Sequence, residues 1–246
     1  MIEKVTIPLW QNLIDRLSRQ DYFRIVLLGA SNTERYFPCL HWTDVLEVGL
    51  AHCFKRKFHI INSGMCGNNT VEAMKRFDRD VAAFQPDIVI VTLGGNDCRP
   101  NPEKFIPPER FAENMRTIIH RIQELNAVPI LQTYYQMNIE ELEKTEPGRG
   151  GFFLQNMQAV RDVAEQTGTL LADQHRIFSL LPDNILLYRL LHDMYHLNEY
   201  GNMVFAILLL AHFGIDAAAL PHNDKLLPAA RLCRTYAQSG CWQVRI

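Results

Sequence analysis

Residues 87–97 read Asp-Ile-Val-Ile-Val-Thr-Leu-Gly-Gly-Asn-Asp. A short, β-branched apolar run with no polar alternation is the pattern of a strand covered on both faces, and the glycines and Asn-Asp pair that follow are turn formers. The same grammar recurs upstream. Phe23 to Leu28 runs into Gly29-Ala30-Ser31-Asn32-Thr33, and Phe58 to Ile61 runs into Asn62-Ser63-Gly64-Met65-Cys66-Gly67-Asn68. Strands are expected at 23–28, 57–62, 87–93, 127–132 and 168–172. Between them lie helical stretches at 41–54, 70–84, 108–125, 152–167 and 198–213, the third opening on Pro107-Pro108 and the last stopping at Gly214. Alternating strand and helix imply right-handed crossovers, hence an α/β fold: a three-layer α/β/α sandwich around a five-stranded parallel sheet.

A chain of 246 residues suits a single domain. Residues 1–20 read as an added amphipathic helix, with Ile7, Leu9, Trp10, Leu13 and Leu17 on one side, and 215–246 as a C-terminal extension. Tyr134 to Gly151, polar and carrying Gly148-Arg149-Gly150-Gly151, reads as a candidate lid. With 25 basic and 27 acidic residues and no basic cluster, nucleic acid is not an expected partner. The N-terminus lacks the uninterrupted apolar stretch of a signal peptide, and the run from Met203 to Phe213 is too short to span a bilayer, so a cytoplasmic protein without a membrane span is expected. The six cysteines form no Cys-x-x-Cys pair and read as reduced thiols. Homo-oligomerisation is left open.

In a parallel sheet the loops after successive strands open on one edge, which brings Ser31, Gly67 and Asn96 together. A serine hydroxyl becomes nucleophilic when a base takes its proton, and imidazole titrates in the right range. His196 is the candidate base, and Asp193, three residues before it, can hold the imidazole from within one helical turn. The backbone N–H groups of Ser31 and Gly67 and the Asn96 amide are candidate donors to an oxyanion. Tyr134, Tyr135, Tyr188 and Arg189 are candidates for lining the substrate pocket. Read singly, Ser31 is a helix cap, the Gly-Gly-Asn-Asp run a turn, and Asp193 with His196 a surface pair; together, in this order and at these strand ends, they read as chemistry. His192 and His196 have a metal-like spacing but no third ligand, Cys66 and Cys98 read as packing residues, and no Gly-x-Gly-x-x-Gly loop is present, so neither metal nor cofactor is expected.

These residues resemble the blocks of the SGNH hydrolases, the GDSL esterase/lipase superfamily, over residues 23–212. Gly29-Ala30-Ser31 matches the nucleophile block, Gly67 and Asn96 the oxyanion residues, and Asp193-x-x-His196 the acid and base; Ala30 replaces the family's usual Asp. The resemblance implies a flavodoxin-like fold and hydrolysis of a small-molecule carboxylic ester, with O-acetyl as the expected acyl group. It equally admits a lysophospholipase or thioesterase, or a binding protein that has kept the fold.

Overall fold

The computed structural model describes residues 3–220 and 224–236, with the side chains of 3–7 and 236 left aside. Helix α1 (Glu3–Arg19) is followed by β1 (Phe23–Gly29), α2 (Trp42–Phe54), β2 (Phe58–Gly64), α3 (Thr70–Lys75), α4 (Phe77–Asp80), β3 (Ile88–Thr92), α5 (Pro108–Glu124) and β4 (Val128–Gln132). The chain continues through α6 (Ile139–Thr145), α7 (Arg149–Thr167), β5 (Leu170–Ala172), α8 (Gln174–Phe178), α9 (Asp183–Ile185), α10 (Glu199–His212) and α11 (Leu227–Tyr236). The sheet is five-stranded and parallel in the order β2-β1-β3-β4-β5. Its order reverses between β1 and β3, which opens a crevice beyond their C-terminal ends.

Alternate side chains of each strand point to opposite faces, so β1 and β3, apolar but for Arg24 and Thr92, feed two cores. Ile25, Leu27, Ile88 and Ile90 pack with α2 and α10. Val26, Leu28, Val89 and Val91 pack with α5 and the C-terminal half of α7. Helix α10 is apolar all round and buried from Gly201 to Ala211, which fits an element enclosed between layers. Trp10, Leu13 and Leu17 of α1 join the first core, Trp10 stacking on His212 at 4.9 Å, as do Ala229, Ala230 and Cys233 of α11. The Ile7 side chain, Pro221, Cys241 and the last ten residues lie outside the described part. The other five cysteines carry free thiols.

Two expectations change. The stretch 70–84 is not one helix: it breaks at Arg76 (φ −101°, ψ 3°) and at Val81 (φ −128°, ψ −63°). The break turns the Arg76 guanidinium inward, where backbone carbonyls need donors. The candidate lid is folded and packed, with Tyr134, Tyr135, Met137 and Leu142 buried. Its Gly-rich end is the first turn of α7, whose N–H groups at Gly148 and Gly151 donate to Glu143 at 2.8 and 3.0 Å. A carboxylate at a helix N-terminus satisfies orphan donors that no side chain of the turn itself could reach.

Candidate active site

Ser31 opens a single turn directly after β1, closed by bonds from the Thr33 and Glu34 N–H groups to the Ala30 carbonyl, both 2.9 Å. The next helix does not begin until Trp42, so Ser31 sits on a free-standing turn rather than at a helix entry. Gly64 is what lets β2 pass beneath that turn, because a Cβ there would stand 2.1 Å from the Glu34 nitrogen. Asn32 is held from below: its carbonyl accepts from His41 Nε2 at 3.1 Å and Trp42 Nε1 at 2.6 Å.

His196 Nε2 lies 3.0 Å from Ser31 Oγ, and His196 Nδ1 lies 2.8 Å from Asp193 Oδ2. The sequence spacing suggested a helical turn for this pair, but the segment is a tight loop closed by an antiparallel bridge between Leu191 and Leu197. Within it Asp193 Oδ1 accepts the backbone N–H groups of Tyr195 and His196, each at 2.8 Å. One carboxylate therefore shapes the loop and orients the imidazole. Partial burial works to raise the Asp193 carboxyl, but the bonds from His196 and the two N–H groups outweigh it and hold it below the usual carboxylate range. An ionised Asp193 keeps the His196 proton on Nδ1, leaving Nε2 to accept from the serine.

Gly67 adopts φ +73°, where a side chain is strained, while a Cβ would meet nothing within 4 Å. Its conformation, not crowding, calls for glycine. Asn96 Nδ2 donates to the Asn68 carbonyl at 3.0 Å, which fixes the amide beside Gly67 and leaves its second N–H over. The backbone N–H groups of Ser31 and Gly67 have no protein acceptor among the described residues. Asn69 caps α3 in a reciprocal capping box with Glu72, a signature that Asn69-x-x-Glu72 displays in the sequence. The buried Asp97 accepts from Thr70 N at 2.9 Å and Thr70 Oγ1 at 2.5 Å, tying the Gly67 and Asn96 loops together. Burial pushes the Asp97 carboxyl up to about 6, against the hydrogen bonds from Thr70.

The pocket candidates sit elsewhere than expected. Tyr134 and Tyr135 are 1% and 0% exposed because both point into the core, Tyr135 toward Phe178 and Phe205. Tyr135 Oη instead bonds the Asn32 side chain at 2.5 Å and the Tyr195 carbonyl. Tyr188 is 82% exposed, and Arg189 is exposed with its carbonyl accepting from Asn198 Nδ2 at 2.9 Å. The cavity beside Ser31 is bounded by other residues, among them Phe37, Cys39, His41, His196 and Leu197. It measures about 10 Å³, room for little more than one water-sized group. Tyr36 stacks on the His196 ring at 5.4 Å, and Phe37 packs between His192 and His196 at 4.1 and 5.4 Å. Cys98 is buried, and burial raises its thiol to about 11. Cys66 is exposed rather than packed, its backbone N–H bonded to Glu34.

Two arginines join the site that no sequence signal marks. Arg76 donates to the Gly29 and Ser63 carbonyls, both 2.8 Å, and to Asn68 Oδ1 at 2.7 Å. Arg149 donates to the Gly95 carbonyl at 3.1 Å, pairs with Glu146, and lies 4.6 Å over the Tyr195 ring.

The profile of the GDSL-like lipase/acylhydrolase family matches residues 27–204. The chain therefore belongs to that family, whose members hydrolyse ester bonds, and it is a hydrolase of this type. An acetylxylan esterase of Geobacillus stearothermophilus is 24% identical over 165 residues, covering 64% of this chain and 73% of the relative. A GDSL esterase/lipase of Arabidopsis thaliana is 35% identical over 111 residues, 42% of this chain and 34% of that protein. The crystal structure of the Geobacillus esterase superposes with a TM-score of 0.67 at 23% identity, over 78% of this chain and 94% of that one. A lipase/acylhydrolase from Enterococcus faecalis gives 0.66 at 23% identity, over 76% and 93%. A Bacillus subtilis relative, 28% identical over 121 residues, is a lipoprotein, while among the described residues no helix is long and apolar enough to cross a membrane.

Proposed function

We propose that the protein is a serine esterase that removes acetyl-sized acyl groups from a small-molecule ester through an acyl-enzyme. The observation that carries the reading is the continuous line from Ser31 Oγ through His196 to Asp193, at 3.0 and 2.8 Å. His196 Nε2 takes the serine proton as Oγ attacks the ester carbonyl. The oxyanion that forms is met by the N–H groups of Ser31 and Gly67 and the spare N–H of Asn96. Collapse expels the alcohol, which receives the proton from His196 and leaves the acyl group on Ser31. Water then attacks with His196 again as base, and the acid departs. The likeness to an acetylxylan esterase supports an acetyl group as the acyl part. The test is hydrolysis of p-nitrophenyl esters of increasing acyl length at neutral pH. Acetate should be cleaved fastest, and Ser31→Ala should abolish turnover and labelling by a fluorophosphonate. Turnover unchanged in Ser31→Ala would refute the nucleophile, and a preference for octanoate would refute the acyl size.

A further inference from the structure

Ser31 and His196 are 165 residues apart, and the loop that carries His196 lies beyond β5, outside the sheet that positions Ser31. Something other than strand pairing must set their separation. Tyr135, three residues past the end of β4, reaches both loops: its hydroxyl meets the side chain of Asn32, next to Ser31, and the carbonyl of Tyr195, next to His196. We infer that Tyr135 is a positioning residue for the hydrolysis, a buried strut whose hydroxyl holds the nucleophile turn and the histidine loop at hydrogen-bond distance from each other. The inference rests on the serine esterase reading.

Both ends of the strut are themselves clamped. On the serine side, His41 and Trp42 grip the Asn32 carbonyl, while the Asn32 side chain pairs with the Tyr135 hydroxyl and also bonds Tyr134. On the histidine side, Tyr195 is gripped at its N–H by Asp193, on its ring by Arg149 and at its hydroxyl by Glu146 at 3.3 Å. The phenol has one proton for two partners. With the Asn32 amide turned so that its NH2 faces the phenol, Asn32 donates to Tyr135 and Tyr135 donates to the Tyr195 carbonyl, so that every group in the chain is satisfied. The Tyr135 ring is fully buried against Phe178 and Phe205, at 5.8 and 5.7 Å, so the hydroxyl is held where it stands.

Tyr135→Phe keeps the ring and its packing while removing the strut. A loosening of the Ser31 to His196 contact by a fraction of an ångström should lower kcat by roughly 10- to 100-fold. KM for p-nitrophenyl acetate should stay within about twofold, and fluorophosphonate labelling of Ser31 should slow in step with kcat. A packing role alone would lower the melting temperature and leave kcat at 25 °C untouched. Asn32→Ala cuts the other end and serves if Tyr135→Phe fails to fold. Joined in one protein, the two changes should cost no more than the larger single effect, because both break one chain of bonds. Full kcat in both single variants, or strictly additive losses, overturns the strut. Turnover that survives Ser31→Ala would instead overturn the esterase reading on which it rests.

Discussion

Arg76 donates to the Gly29 carbonyl at 2.8 Å, across 47 residues and at the point where β1 gives way to the serine turn. The same buried guanidinium reaches Ser63 at the end of β2 and Asn68 beside Gly67. Its planar fork serves carbonyls in different directions at once, which an ammonium cannot do. Arg76→Met should cost about 3 kcal/mol, since buried carbonyls lose charge-assisted bonds. Arg76→Lys should recover only a minority of that loss. Urea unfolding of the three proteins measures both, and a lysine variant as stable as wild type would contradict the role.

Asn96 offers one N–H to the Asn68 carbonyl, and in the proposed mechanism its other N–H meets the oxyanion. Asn96→Ala should lower kcat by roughly 10²- to 10³-fold with a small change in KM, as loss of a donor that acts in the transition state does. Steady-state kinetics on p-nitrophenyl acetate decide it; an effect confined to KM would place Asn96 in ground-state binding.

Asp193 fixes both the imidazole tautomer and the loop N–H groups. Asp193→Asn keeps an acceptor for the loop but presents the wrong partner to the imidazole, so kcat should drop by roughly 10³- to 10⁴-fold while the fold persists. Circular dichroism and turnover on the same sample check the pair of outcomes. A variant retaining a tenth of wild-type activity would mean that His196 is oriented by other groups.

Acid should weaken the fold before it protonates the surface carboxylates. Burial holds His41 and His175 down to about 4, whereas an unfolded histidine titrates near its ordinary 6.5. The unfolded chain thus takes up protons that the native state refuses, so this stability is complete above pH 6.5 and is lost as pH falls toward 4. Asp97 runs the other way: with its carboxyl raised to about 6, its contribution is present below about 4 and is lost as pH rises through 6. Between pH 7.5 and pH 5, His175→Gln should lose about 2 kcal/mol less stability than wild type. Urea midpoints at the two pH values measure the difference, and parallel losses would sink the assignment to His175.

The layered fold was legible because its signals are local: apolar runs of strand length, glycines at their ends and helical periodicity between them. The β3 run ending in Gly94-Gly95-Asn96 is where apolar pattern and turn chemistry agree. The order of Ser31, Gly67, Asn96, Asp193 and His196 along the chain was legible for the same reason. Tyr134 and Tyr135 were not, since an aromatic pair after a strand looks the same whether it faces substrate or core. The break at Arg76 was equally silent, because helix propensity does not record carbonyls from distant strands that want a donor.

By itself the sequence determined the strands, the helices between them and which residue types stand at the strand ends, because backbone preference and amphipathic period act over a few neighbours. Only the tertiary structure decided that Asp193 shapes a bridged loop rather than a helical turn, and that Phe37, Cys39 and His41 bound the small cavity beside Ser31. It also decided that Tyr135 spans the gap between residues 32 and 195. The bonds of Tyr135 join segments 103 and 60 residues apart, and the energies of all these contacts depend on distance and burial, which have no local signature in the chain.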